Sequence, residues 1–146
     1  MSQDKIRGVY VEPGKPAREI TIDNALTELV RLVDGAITTA YPWGTSIVLF
    51  ANDEGMLNDM APNRLIDWMS NTIIYGPFFI CGQLVDDIVS LPESKTKWFL
   101  NMFSEPEVFE EVLYSGKPAY KWNKGERYRL IPDPRAGFDF IGFWGK

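Results

Sequence analysis

The chain of 146 residues contains no histidine and a single cysteine, Cys81. Without histidine there is no Ser-His or Cys-His nucleophile pair, no imidazole metal ligand and no ordinary general base for neutral pH. One cysteine cannot close an internal disulfide or build a Cys/His zinc site, so any metal would need oxygen ligands. Neither G-x-x-x-x-G-K-[ST] nor a strand-linked G-x-G-x-x-G occurs, which removes the two common loops that cradle phosphates. Long hydrophobic runs are missing too. The longest uncharged apolar stretch, Thr72 to Val85, is broken by Gly76-Pro77 and is short for a bilayer. No apolar segment follows the charges of MSQDKIRG, so a secretory signal is not expected and a cytoplasmic, reducing setting is. These gaps argue against hydrolases, NTPases and dinucleotide enzymes; the expectation is a non-enzyme with no cofactor and no metal.

What is present describes a soluble globular chain. At 45% hydrophobic and 14% aromatic residues the sequence is too apolar for intrinsic disorder, and its length is that of one domain. The net charge is −5, divided unevenly: residues 1–109 hold 8 Lys+Arg against 15 Asp+Glu, residues 110–146 hold 7 against 5. An acidic main body disfavours duplex DNA, whose binding rests on Lys and Arg contacts to phosphate.

Local patterns predict an α+β fold, a small mixed and mainly antiparallel sheet with two or three helices. IRGVYVEPG and REITI read as strands, the first closed at Pro13-Gly14. Asp23 or Asn24 is a candidate cap for a helix carrying Leu26, Leu29, Val30 and Val33, with Gly35 placed for a left-handed C-cap. AITTAYP and TSIVLFA read as an antiparallel pair across Pro42-Trp43-Gly44. NDEG at 52–55 has tight-turn residues with Gly55 suited to a positive φ, and Pro62 can start a short helix. TIIYGPFFICG reads as a strand with a bulge or an edge at Gly76-Pro77. Ser90 and Pro92 precede a helix with Trp98, Phe99, Met102 and Phe103 at helical spacing, and Ser104-Glu105-Pro106 repeats the start signal for a shorter helix to Leu113. YKW and RYRLI around NKGE suggest a hairpin, with Phe138, Phe140 and Phe143 as a last strand or an apolar tail. The organisation expected is a core over 1–114 and an aromatic, basic extension over 115–146.

Three stretches, VYVEPGKPAREITIDNALTELVRLVDGAITTAYPW, IVLFANDEGMLNDMAPNRLI and YGPFFICGQLVDDIVSLPESKTKWFLNMF, carry a resemblance. In order and spacing they resemble the domain of unknown function 3846, over about residues 7–110. The N-x-E-G with a downstream N-R and G-x-F-F is the specific combination. Asp34-Gly35 stands where a second glycine is common, and Met60-Ala61-Pro62 replaces leucine before proline. The resemblance implies a setting in phages and other mobile elements of bacteria, hence the cytoplasm of a bacterial host, but no activity.

Each candidate site has two readings. Asn52, Asp53, Glu54 and Gly55 form a turn or offer hard oxygens, without the spacing of a calcium loop. Asn63 and Arg64 either present an amide and a guanidinium to an anion, or Asn63 caps or braces the NDEG turn while Arg64 pairs with Asp53 or Asp59. Tyr75, Phe78 and Phe79 around Gly76 stack a planar ligand or fill the core. Tyr120, Trp122, Arg127, Tyr128 and Arg129, with Lys121 and Lys124 between them, form a partner-binding or single-stranded nucleic acid surface, or an ordinary two-faced hairpin. The functional expectation is stoichiometric inhibition of a host protein such as a defence component. Sequestration of a small anionic, nucleotide-like ligand by Asn52, Asn63, Arg64, Tyr75 and Phe78 is the alternative, and single-stranded nucleic acid binding through the C-terminal segment the second. No membrane partner is expected.

Overall fold

The computed structural model describes residues 3–67 and 72–136. Strands β1 (Lys5–Val11) and β2 (Arg18–Asp23) form a hairpin, and helix α1 (Leu26–Val33) leads to a second hairpin of β3 (Ile37–Ala40) and β4 (Ile47–Asn52). Strands β5 (Pro62–Asp67) and β6 (Thr72–Tyr75) make a two-stranded ribbon. They are followed by β7 (Phe78–Leu84), β8 (Asp87–Val89), helix α2 (Glu93–Met102), and the strands β9 (Val108–Tyr114), β10 (Lys117–Lys124) and β11 (Arg127–Pro132). A 3-10 turn over Pro134–Ala136 ends the described chain.

Strands β1 to β4, β7 and β8 form a six-stranded sheet in the order β2-β1-β7-β4-β3, with β8 on β7. Both of its faces are covered. On one, Val9, Val11, Leu49, Phe78 and Ile80 pack against Phe99 of α2 and its C-cap Phe103; on the other, Ile6, Tyr10, Val48, Phe50, Phe79 and Cys81 pack against Leu29 and Leu32 of α1. Gly8 lets this second face close: a Cβ there would stand 2.3 Å from the Ile80 carbonyl oxygen and 2.6 Å from the Phe79 ring. A third core joins Leu65 and Tyr75 of the ribbon to Tyr120, Trp122 and Ile131 of the sheet β11-β10-β9.

The mixed α+β class stands, but the protein is β-rich, with two helices among the described residues, and all its strand pairs there are antiparallel and fall into three sheets. Two expected helices are strands. Residues from Pro62 form β5, where register shifts either side of Arg64 and Leu65 turn three successive side chains, Asn63, Arg64 and Leu65, into the interior. Residues 108–114, whose Ser104-Glu105-Pro106 start signal suggested a helix, pair with β10 over their whole length; β-branched and aromatic side chains suit that ladder.

Caps differ as well. Ala25 is the N-cap of α1, because Asp23 is paired with Lys5 and Asn24 donates its side-chain amide to the Gln3 carbonyl. Asp34, at φ 58°, takes the left-handed C-cap position expected for Gly35. Ser90 does not cap α2; its hydroxyl accepts the Arg7 N–H, and Pro92 precedes the helix. Gly55 needs no positive φ. It is small because a Cβ would meet the Tyr75 carbonyl oxygen at 2.5 Å, and Asp59 takes the left-handed conformation in that loop. Gly76-Pro77 is the corner where the chain leaves the ribbon as β6 and enters the main sheet as β7. The position 114/115 falls in the turn of the β9–β10 hairpin, so residues on either side share one sheet. Phe138, Phe140 and Phe143 lie outside the described residues.

Candidate functional site

The bulged strand β5 buries an amide and a guanidinium side by side. Asn63 donates both amide hydrogens, to the carbonyls of Val11 and Gly76 at 2.9 Å each, and its side-chain oxygen accepts from Arg64 Nη1 at 2.8 Å. Arg64 is fully buried. Its Nη1 also donates to the Asn63 carbonyl at 3.2 Å, and Nη2 donates to the carbonyls of Lys15 at 2.7 Å and Phe103 at 3.1 Å. Four of its five N–H groups are therefore spent on protein oxygens. Burial pushes the Arg64 guanidinium below its ordinary range, and Glu107 opposes that shift.

Glu107 is the counter-charge, rather than Asp53 or Asp59. One carboxylate oxygen, Oε1, accepts the Leu65 N–H and the Trp122 indole N–H, both at 2.7 Å. The other, Oε2, stands 3.9 Å from Arg64 Nε and 3.9 Å from Lys124 Nζ. Lys124 donates to the Met102 carbonyl at 3.1 Å. Arg64 Nε has no hydrogen-bond partner. Asn63 and Arg64 thus tie the β1–β2 turn, the ribbon, the end of α2 and the C-terminal sheet together.

Asn52 and Tyr75 lie elsewhere, on the wall of a cleft of about 360 Å³ between β4, β6 and the 53–56 turn. Asn52 donates to the carbonyls of Val33 and Asp34 at 3.0 and 3.2 Å and accepts the Glu54 N–H at 2.8 Å, so its polar groups hold the turn. The Tyr75 hydroxyl meets the Tyr120 hydroxyl at 2.9 Å, and burial raises the pKa of both. Phe78 is in the core, edge-on to Phe103 with ring centres 5.5 Å apart. The five residues do not converge on one cleft. Among the described residues, no group of three His, Cys, Asp or Glu could hold a metal ion.

Strand alternation divides the C-terminal candidates. Tyr120 and Trp122 face inward and are buried, whereas Tyr128 is 67% exposed on the opposite face, with Lys121 Nζ 5.4 Å from its ring centre. Arg127 is exposed and Arg129 half-buried. A platform that stacks bases on Tyr120 and Trp122 is therefore not available. Arg135, which nothing in the local pattern singled out, organises this end: it binds Asp133 at 3.0 Å, Asp59 at 3.0 Å and Glu111 at 2.9 Å and lies over the rings of Tyr75 and Tyr120.

The outer edge of β9 is open among the described residues. The Pro118 carbonyl accepts the Asp133 N–H, so the backbone polar groups of Pro118 point towards β11, and those of its neighbours Lys117 and Ala119 point towards β9. Tyr114 and Val112 are the partners of those two residues, which leaves the N–H and C=O groups of Phe109, Glu111 and Leu113 facing outward. Leu113, Val108 and Tyr114 expose apolar side chains along the same strand.

Comparison with known proteins finds a family match. The family model described as Domain of unknown function (DUF3846) covers residues 6–104, which end before β9. No curated protein and no solved structure matches.

Proposed function

Because the chain belongs to this family, whose description assigns no activity, we propose from the geometry that it is a non-enzymatic binding protein that inhibits a partner protein stoichiometrically. The observation that carries this reading is the edge of β9, open among the described residues. Seven residues long and rich in exposed apolar side chains, it offers three outward N–H and C=O pairs to an extended segment of a partner, the mode of recognition in which a peptide adds a strand to a sheet. Glu110 beside this edge favours a partner segment carrying Lys or Arg. The mobile-element setting that the resemblance implies makes a bacterial host factor, such as a defence component, the partner to test first.

The small-ligand alternative has less support, since Asn52, Asn63 and Arg64 spend their polar groups on backbone carbonyls. The test is capture of a host protein by the immobilised full chain and by Leu113→Pro. The Leu113 N–H faces outward, so proline there removes no ladder bond and obstructs only an added strand. Capture by the wild type and loss with Leu113→Pro, at similar melting temperatures, is the expected result. Equal capture by both chains would refute the proposed edge.

A further inference from the structure

Where α2 meets the C-terminal sheet there is a cavity of about 160 Å³. Its apolar wall includes Trp43, Met102, Phe103 and Trp122, and its polar wall is formed by Glu107 and Lys124. A cavity of roughly 150 Å³ is large enough for one benzene ring. The polar side is incomplete. The 3.9 Å separations from Glu107 Oε2 to Arg64 Nε and to Lys124 Nζ are about 1 Å longer than a hydrogen bond, and Arg64 Nε–H is a buried donor with no acceptor. Lys124 spends one N–H on Met102 and keeps two. Of these groups Lys124 and Glu107 line the cavity and Arg64 does not, so one donor and one acceptor face the aromatic chamber.

The group that completes such a gap must accept and donate at once. A carboxylate would accept from Lys124 but repel Glu107 and donate nothing to it, and an ammonium would donate to Glu107 but repel Lys124. Water would complete the hydrogen bonds but leave the aromatic wall unfilled. A hydroxyl on a ring meets both demands. We propose that this cavity binds a small hydroxylated aromatic molecule of phenol size, its ring against Trp43, Met102, Phe103 and Trp122 and its hydroxyl between Lys124 Nζ and Glu107 Oε2. The site uses no residue of the β9 edge and goes beyond the protein-binding reading. It is built jointly by residues inside the family match and by Glu107, Trp122 and Lys124 beyond it.

The full chain is titrated with phenol, benzene and benzoate while the Trp122 indole N–H resonance is followed by NMR, since that proton is bonded to Glu107. Phenol is expected to shift it saturably and to bind about tenfold tighter than benzene, the worth of one or two net hydrogen bonds, with benzoate weakest. Lys124→Met leaves the Glu107 bonds to Leu65 and Trp122 in place and is expected to bring phenol down to the affinity of benzene without changing benzene itself. Glu107→Gln is expected to do the same wherever it folds. The proposal is overturned by no saturable shift with phenol, which means a cavity holding water alone, by equal affinity for phenol and benzene, by benzoate binding tightest, or by phenol affinity unmoved in Lys124→Met.

Discussion

Strands β7 and β10 are each the central strand of a sheet, yet their sequences follow different rules. In β7 the run Phe78-Phe79-Ile80-Cys81 is buried residue after residue, because α1 covers one face of the sheet and α2 the other. In β10 buried Tyr120 and Trp122 flank exposed Lys121, because among the described residues only one face of that sheet is covered, by the ribbon β5–β6. The alternation of polarity along a strand therefore counts how many faces of its sheet are covered. The contrast follows the family boundary: residues 6–104 contain the sheet covered on both faces, and β9 to β11 follow it.

The largest expected effect lies where the two regions are joined. Glu107→Ala leaves the buried Arg64 guanidinium without its counter-charge and frees the Leu65 and Trp122 N–H groups, and should cost about 3–5 kcal/mol in urea unfolding. Gly8→Ala tests the two-sided sheet alone. With the Ile80 carbonyl 2.3 Å from the new Cβ, β1 and β7 must separate, for about 1–3 kcal/mol, read by the denaturation midpoint at unchanged m-value.

Cys81 gives the same sheet a pH dependence. Burial pushes its thiol up to about 12 from an ordinary 9.0. Above pH 9 the unfolded chain loses this proton while the folded chain keeps it, so the unfolded state binds fewer protons and stability falls as pH rises. Between pH 9 and 10 the fall is about 1 kcal/mol, its slope rising towards about 1.4 kcal/mol per pH unit, and the slope should be shallower in Cys81→Ala.

Smaller effects are expected in the C-terminal sheet. Tyr75→Phe removes one partner of the hydroxyl pair with Tyr120 and should cost about 1 kcal/mol by thermal melting. On the face that the described residues leave uncovered, Tyr128→Ala should change stability by less than about 0.5 kcal/mol. A cost near that of Gly8→Ala would mean that this face is covered in solution, and the contrast between the two sheets would then disappear.

Local pattern alone determined much of this protein. Period-two alternation marked β1 and β2, turn residues marked the β3–β4 and β10–β11 hairpins, and helical spacing placed the buried Leu29 and Val33 in α1 and Phe99 in α2. These features depend on neighbours within a few residues, and the chain carries them wherever it goes. The same local logic failed at Pro62 and at Ser104-Glu105-Pro106, where start signals for helices were overridden by strand pairing with distant or following segments. The stretch Asn63-Arg64 stood out in the sequence, but whether it met a ligand or the protein's own carbonyls depended on Lys15, Phe103 and Glu107, up to 49 residues away. The roles of Glu107, Lys124 and Arg135 left no local trace. Charge partners and cavity walls are set by which surfaces come together on folding, and that arrangement is a property of the packed chain.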